Sequence, residues 1–398
     1  MLQISKEISH IIPYINFDVN IDNCSILTGE LSKVLVLFSL YDIGKDETVK
    51  VQAEDLLYKH VELAANYTLN FKFAYGLTGL TWLIRFLKNR KLLNDDYDDF
   101  LIDVDANLYK SLKWDLEDKI YDPFIGFIGK AQYLFERLES GTDDKVLDLL
   151  KGLIDGLDES CIKDGENISW LDFYTSLHNP DGDKNPYFNV GLAHGVPSII
   201  CFLSKCVRKK IEVEKCSEMI KGAVRWLLNQ GDNDYVFPSV VWPDKRKFVR
   251  HPYVLSWCYG ILSVATACFA AAKELNDDNL RKEAKDMVKI ASGLHKKGYA
   301  VVSDEAGIPN LFFCHGSYGI AFILNKFGKI FNDDEIFEAY RYWINFSEEQ
   351  FGKYANLITR HQGLLEGLSG IALIDLNLKY PDNSLSNWDK IFFLDLLD

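Results

Sequence analysis

The sequence predicts an all-α protein, an α/α toroid of about seven inner and seven outer helices. Two observations lead to this prediction: a glycine-bearing unit recurs along the chain, and two kinds of helical segment alternate within it. One kind is apolar on all sides and must be buried, whereas the other is amphipathic and can face water. Two concentric layers satisfy both kinds, so residues 1–398 are expected to form one domain. An open solenoid is the alternative, but it would need polar caps at its ends.

The recurring unit begins at a glycine turn, continues into an apolar run, and ends with a polar loop and an acidic-headed amphipathic segment. Because glycine permits close backbone approach, these turns are expected at the mouth of the ring, where the inner helices begin. In the first, second and seventh copies we expect the glycine to mark a turn only. Seven copies are found, and their lead glycines are Gly29, Gly76, Gly126, Gly191, Gly260, Gly316 and Gly367.

The amphipathic segments carry helix-start signals. Thr142-Asp143-Asp144 precedes an apolar stripe with i, i+3, i+4 spacing, and the aspartates suit the positive end of the helix dipole. The same pattern recurs at Asn276-Asp277-Asp278 and Asn332-Asp333-Asp334. Strand-like alternation is seen only near residues 235–241. Two polar and aromatic stretches, near 164–186 and 231–252, are predicted to be loop insertions, where recognition residues usually lie.

Composition excludes several classes of protein. The chain has 58 acidic and 44 basic residues, a net charge of −14, which argues against binding nucleic acid or an anionic membrane surface. Its eight cysteines are dispersed, and its start shows no basic region followed by an apolar one. These features favour a cytoplasmic protein whose thiols are free or metal-bound. Residues 252–272 carry no charge, and a buried helix is favoured there over a membrane span.

Three metal-ligand side chains fall at two neighbouring glycine turns: Cys258 in the fifth copy, and Cys314 with His315 in the sixth. Residues 314 and 315 would diverge by about 100° in a regular helix, so they converge only at an irregular helix start, which Gly316 provides. Two thiolates and an imidazole are zinc ligands, and a three-ligand set leaves a fourth position for water or substrate. Taken singly, each cysteine could instead be a small buried hydrophobe.

Three further residues near the mouth are candidates for catalysis. His194, in Gly191-Leu192-Ala193-His194-Gly195, is predicted to act in acid–base chemistry, although a lone histidine is more often a core residue. Asp122 either orients His194 and tunes its pKa or caps a helix. Tyr259 either hydrogen-bonds an oxyanion or packs as an aromatic residue.

These motifs resemble a known family. Gly-Leu-Ala-His-Gly, Trp-Cys-Tyr-Gly and Cys-His-Gly, in this order on seven glycine-bearing repeats, are similar to those of the lanthionine synthetase C-like (LanC-like) cyclases of lantibiotic biosynthesis. The resemblance implies one zinc ion held by Cys258, Cys314 and His315, and it places His194, Asp122 and Tyr259 at active-site positions. It also implies addition of peptide cysteine thiols to dehydroalanine or dehydrobutyrine, which forms (methyl)lanthionine thioether rings.

The same resemblance implies a dehydrated precursor peptide as substrate. Its further implied partners are a dehydratase and an exporter, through which the enzyme could associate with a membrane. Members of the family commonly carry an arginine four residues before the first zinc cysteine, but Val254 stands there, with Arg250 and His251 further upstream. Two alternatives therefore stay open: an enzyme that adds glutathione to dehydro-amino acids, and a non-catalytic zinc-binding scaffold of a synthetase complex.

Overall fold

In the part of the chain that the structure describes, seven buried helices form the inner layer of the ring. The computed structural model describes residues 8–18, 24–67, 69–93, 97–177, 185–248 and 254–398. Six of these inner helices are N-capped by a glycine, and most of the residues along them are buried. The inner helices are α1 (Ser32–Gly44), α3 (Leu77–Asn89), α5 (Phe127–Leu138), α8 (Val196–Arg208), α10 (Ile261–Leu275), α12 (Ser317–Phe331) and α14 (Leu368–Lys379).

Within the described ranges, six amphipathic helices form the outer layer. Their buried residues recur at helical spacing, so one face of each packs on the inner layer. The predicted caps are confirmed, since Asp143, Asp277 and Asp333 each accept a backbone N–H of the first turn. The outer helices are α2 (Glu47–Asn66), α4 (Asp98–Glu117), α6 (Asp144–Ser160), α9 (Val213–Leu228), α11 (Asp278–Gly293) and α13 (Asp334–Ile358).

The ring is closed, because the last inner helix, α14, packs against the first, α1. This contact confirms the toroid and excludes the open solenoid. Within the described residues, 3₁₀ turns at Trp388–Phe392 and Leu394–Leu397 follow α14 in the chain in place of a seventh outer helix, and the second turn packs on the inner helices α10 and α12. The N-terminal segment packs on the outer helix that includes Phe351, and the rings of His10 and Tyr14 both stand edge-on to that phenylalanine.

Backbone hydrogen bonds link neighbouring glycine turns around the mouth. They join five of the seven neighbouring pairs, which are copies one–two, two–three, four–five, six–seven and seven–one. In the described part of the chain, backbone hydrogen bonds do not join copies three and four or copies five and six. The five links run from Ile26 N to Ala74 O, Ala74 N to Phe124 O, Ala193 N to Cys258 O, Cys314 N to Leu365 O and Leu364 N to Leu27 O.

The two loop insertions contain short elements. One holds a hairpin, β1 (Ile162–Asp164) with β2 (Asn167–Ser169), and a one-turn helix, α7 (Tyr174–Leu177). The other contributes β4 (Val240–Val241), which pairs with β3 (Phe188–Asn189) and with β5 (Lys247–Phe248). The alternation near 235–241 therefore becomes a strand only in its last two residues. Residues 178–184 and 249–252 of the predicted loops lie outside the described residues.

The uncharged stretch at 252–272 supplies a buried inner helix, as expected. The helix begins at Ile261, and residues 252–253 lie outside the described part. Among the helices that the structure describes, none combines the length and apolar character that a membrane crossing requires.

Candidate metal centre and acid–base pair

Cys258, Cys314 and His315 converge at the mouth between copies five and six. Their potential ligand atoms all lie within 4.8 Å of one another, and the Cys314 Sγ lies 3.5 Å from the His315 Nε2. Both thiols are almost fully buried, whereas about a fifth of the His315 side chain is exposed. In the described residues, no fourth histidine, cysteine or carboxylate joins this group. The set thus offers two sulfurs and one nitrogen, three of the four ligands that a tetrahedral zinc ion takes.

The backbone before α10 brings Cys258 into position, and it requires a glycine. Gly260 has a φ of +85°, which L side chains rarely adopt, and an added Cβ would lie 2.1 Å from the Val254 carbonyl oxygen. That oxygen accepts a hydrogen bond from the Ile261 N–H, so the chain folds back tightly on itself. The Ser256 hydroxyl lies 3.4 Å from the Cys258 Sγ and stabilises the same turn.

Sequence reasoning missed Glu366, which holds His315. Its Oε1 lies 2.6 Å from the His315 Nδ1, so the ring presents Nε2 to the two cysteines. A carboxylate on the distal nitrogen is the usual support of a metal-binding histidine, because it fixes the tautomer and the ring orientation.

The ionisation of these groups is strongly coupled. Burial alone would raise the pKa of Cys258, but the hydrogen bond with Cys314 and the charge of His315 lower it well below its usual range. Burial and the neighbouring Cys258 thiolate raise the pKa of Cys314. Burial would lower the pKa of His315, but Cys258 and Glu366 outweigh it and raise that pKa to about 10. One thiolate therefore forms readily, and a bound cation would favour the second.

His194 and Asp122 meet at the other break in the backbone ring, between copies three and four. The His194 Nδ1 lies 2.5 Å from the Asp122 Oδ2, and the ring stands edge-on to Phe124. The other carboxylate oxygen of Asp122 accepts the backbone N–H groups of Phe124 and Ile125. Asp122 thus contacts His194 through one oxygen and the turn before α5 through the other. It does not cap α5, whose N-cap is Gly126, and its effect on His194 stays a prediction.

The carboxylate changes the acidity of His194. Burial alone would lower the pKa of the imidazole, but the charge and hydrogen bond of Asp122 outweigh burial and raise that pKa above its usual value. Since Asp122 occupies Nδ1, the remaining Nε2 is the nitrogen that can exchange a proton with another group.

Tyr259 packs against the turn that begins copy four. A Cβ added to Gly191 would lie 2.5 Å from the tyrosine ring, so only glycine permits this contact. The Asn189 Nδ2 lies 3.3 Å from the Tyr259 hydroxyl and 3.3 Å from the Asp172 Oδ2. Tyr259 therefore belongs to a buried polar network behind the mouth, and its position supports the aromatic-packing interpretation more directly than contact with an oxyanion.

The structure corrects the register of copy four. Gly195, rather than Gly191, is the N-cap that corresponds to Gly260, Gly316 and Gly367. In this register the residues just before the capping glycines are Tyr75, Ile125, His194, Tyr259, His315 and Glu366. Three of them, His194, His315 and Glu366, belong to the acid–base pair or the metal centre. The correct register would have singled out Glu366 from the sequence.

Val254 has a backbone role in the turn before Gly260, as described above. In the sequence, Arg250 and His251 stand upstream of it, and both lie outside the described residues.

The fold and the site define the class of protein: an all-α toroid whose mouth carries a candidate Cys₂His metal site and a histidine–carboxylate pair. A solved structure of nisin cyclase shares this fold, with a TM-score of 0.74 at 18% sequence identity over 99% of this chain and 97% of that chain. No curated protein matches the sequence significantly. The description "Lanthionine synthetase C-like protein" names the family whose profile matches residues 20–393. The chain therefore belongs to the lanthionine synthetase C-like family, and the predicted family and toroid are confirmed.

Proposed function

We propose that this protein is a zinc-dependent lanthipeptide cyclase. In this proposal it adds cysteine thiols of a dehydrated precursor peptide to dehydroalanine or dehydrobutyrine and forms thioether rings. The convergence of Cys258, Cys314 and His315 on one mouth with the His194–Asp122 pair is the observation that supports it most. Family membership and the likeness to a protein named nisin cyclase point the same way.

The donor set suits zinc. Two sulfurs and an imidazole nitrogen within one 4.8 Å cluster match zinc's preferred ligands, and Glu366 supports the histidine from behind. Three protein ligands leave the fourth tetrahedral position to a water or a substrate, as in catalytic sites. A bound zinc ion would supply the chemistry of thiol activation, since it lowers the pKa of a cysteine thiol so that a thiolate exists at neutral pH.

His194 is the proposed proton donor. Addition of sulfur to the β-carbon of a dehydro residue leaves the α-carbon in need of a proton. The raised pKa of His194 keeps the imidazole more protonated near neutral pH than an ordinary histidine. Asp122 holds Nδ1, so Nε2 would deliver the proton, and the fixed ring would favour one face of the α-carbon.

Two other activities use the same site. Addition of glutathione to a dehydro-amino acid needs the same thiol activation, whereas a zinc-bearing scaffold needs the metal site only. The substitution of Val254 for the usual arginine is the feature that keeps the scaffold under consideration. A dehydratase and an exporter are the partners proposed for a synthetase complex.

The deciding experiment incubates the purified protein with zinc and a dehydrated precursor, and counts free thiols by alkylation and mass spectrometry. We expect thiols to disappear, with His194→Ala retaining zinc but losing cyclisation or stereocontrol, and Cys258→Ala losing bound zinc. His295→Ala is the matched control, since His295 stacks on Tyr342, away from the mouth. Full activity of His194→Ala would refute the proton-donor role. Retained thiols with the wild-type protein would favour the scaffold.

A further inference from the structure

A cavity of about 260 Å³ lies beside the candidate metal centre. Glu366, which hydrogen-bonds His315, is one of its lining residues, and Phe312, two residues before Cys314, is another. The cavity is also lined by the turn at 302–310 and by the C-terminal end of α13. A group bound in it would therefore lie on the Glu366 side of His315, next to the candidate metal centre.

One wall of the cavity is apolar and exposed at Leu357. Ile308, Phe312 and Leu357 line it, and 61% of the Leu357 side chain is exposed. An exposed leucine at the rim of a pocket is suited to contact with the aliphatic part of a bound peptide.

The other wall offers hydrogen-bond donors. The Arg360 Nε donates to the His361 Nε2 across 3.0 Å, which requires His361 to be neutral on that nitrogen and leaves a proton on Nδ1. Burial, with the charge of Arg360, lowers the pKa of His361, so the neutral form is favoured. Among the described residues, no carboxylate forms an ion pair with the Arg360 guanidinium, although acidic residues outnumber basic ones in the chain.

The carboxylates that line the cavity already hold hydrogen-bond donors of the protein. Asp304 Oδ1 accepts the N–H groups of Ala306 and Ile308, both at 2.9 Å, and Glu366 Oε1 pairs with the His315 Nδ1. Asn310 Oδ1 accepts the Phe312 N–H at 3.0 Å. Arg360 is the cation of the lining without a carboxylate partner among the described residues, and a guanidinium favours a carboxylate.

We propose that this cavity is a specificity subsite for an acidic residue next to the reacting cysteine of the peptide substrate. The proposal rests on the proposed function, because it takes the peptide as the substrate of the same mouth. Arg360 meets the carboxylate, His361 supports Arg360, and Leu357 contacts the methylene groups of the side chain.

Two fluorescein-labelled synthetic peptides test the subsite. Each contains one dehydroalanine and one cysteine, with glutamate on both sides of the cysteine in one peptide and glutamine in the other. Fluorescence anisotropy gives the dissociation constants, and alkylation with mass spectrometry gives thiol loss separately. We expect the wild type to bind the glutamate peptide roughly 5-fold more tightly, a modest ratio because Arg360 is exposed.

The variants separate charge recognition from stability. Arg360→Met should bring the ratio of dissociation constants to about one, and Arg360→Glu should bind a lysine-flanked peptide more tightly than the glutamate peptide. Arg341→Met, an exposed arginine on α13 away from the cavity, should keep the wild-type ratio.

A ratio of one in the wild type, or a wild-type ratio in Arg360→Met, would overturn the subsite. If the binding ratios are as expected but the thiols are retained, the cyclase proposal is refuted and the proposal of the subsite is supported.

Discussion

Removal of the carboxylate at Glu366 is expected to weaken zinc binding without removing a ligand. Its Oε1 lies 2.6 Å from the His315 Nδ1, and about half of the Glu366 side chain is exposed. Loss of such a supporting carboxylate typically costs 10- to 100-fold in metal affinity, which is about 1.4–2.7 kcal/mol. The loss of zinc affinity in Glu366→Gln should lie near the lower value, because the side chain is partly exposed and the amide oxygen still accepts the Nδ1 proton, so that only the charge is lost. Glu366→Ala should approach the upper value, because the ring is then free to turn.

The assay is zinc competition against a chromophoric chelator at constant pH. Glu349→Gln is the matched control, since Glu349 forms an exposed ion pair with Lys353 on an outer helix and should leave zinc affinity unchanged. A zinc affinity of Glu366→Ala within twofold of wild type would refute the reasoning, and so would equal weakening by the control.

Further substitutions test the acid–base pair and the backbone of the mouth. Asp122→Asn should lower the pKa of His194, measured by NMR titration of the ring. The pKa of His194 is raised in the folded protein, so its charged hydrogen bond with Asp122 should add roughly 1.5–3 kcal/mol to the free energy of unfolding. This contribution should be full below the ordinary histidine pKa of about 6.5 and should decline as the pH rises through the pKa of the folded protein. Urea unfolding at pH 6 and pH 9 measures it, and equal losses at both would contradict the coupling. Gly260→Ala should destabilise by roughly 1–3 kcal/mol, because its φ is positive and its Cβ would meet the Val254 carbonyl. Gly352→Ala should stabilise the protein by about 0.5–1 kcal/mol, because an added Cβ would meet open space at an exposed helix position. A Gly352→Ala variant that is less stable than Gly260→Ala would contradict this account.

The repeat pattern could be predicted from the sequence because short-range interactions mark where each helix begins. Aspartate caps such as Asp143 and Asp333 satisfy N–H groups within their own first turn, so the sequence marks where these helices begin. Glycines before apolar runs likewise mark the inner helices. Register was harder in copy four, where Gly191 and Gly195 are four residues apart and both are required, one for contact with Tyr259 and the other as the N-cap.

The sequence by itself determined the all-α repeat, the two kinds of helix and the residues able to bind a metal. Only the tertiary structure decided which residues meet across the mouth. Packing of α14 against α1 closes the ring and brings the last glycine turn next to the first. Among the described residues, backbone hydrogen bonds join neighbouring glycine turns at five of the seven junctions. At the other two junctions side chains make the contact: His194 with Asp122, and Cys258 with Cys314 and His315. Glu366, from the seventh copy, supports His315. Such pairings join residues 51 to 72 positions apart, and local propensity carries no information about them.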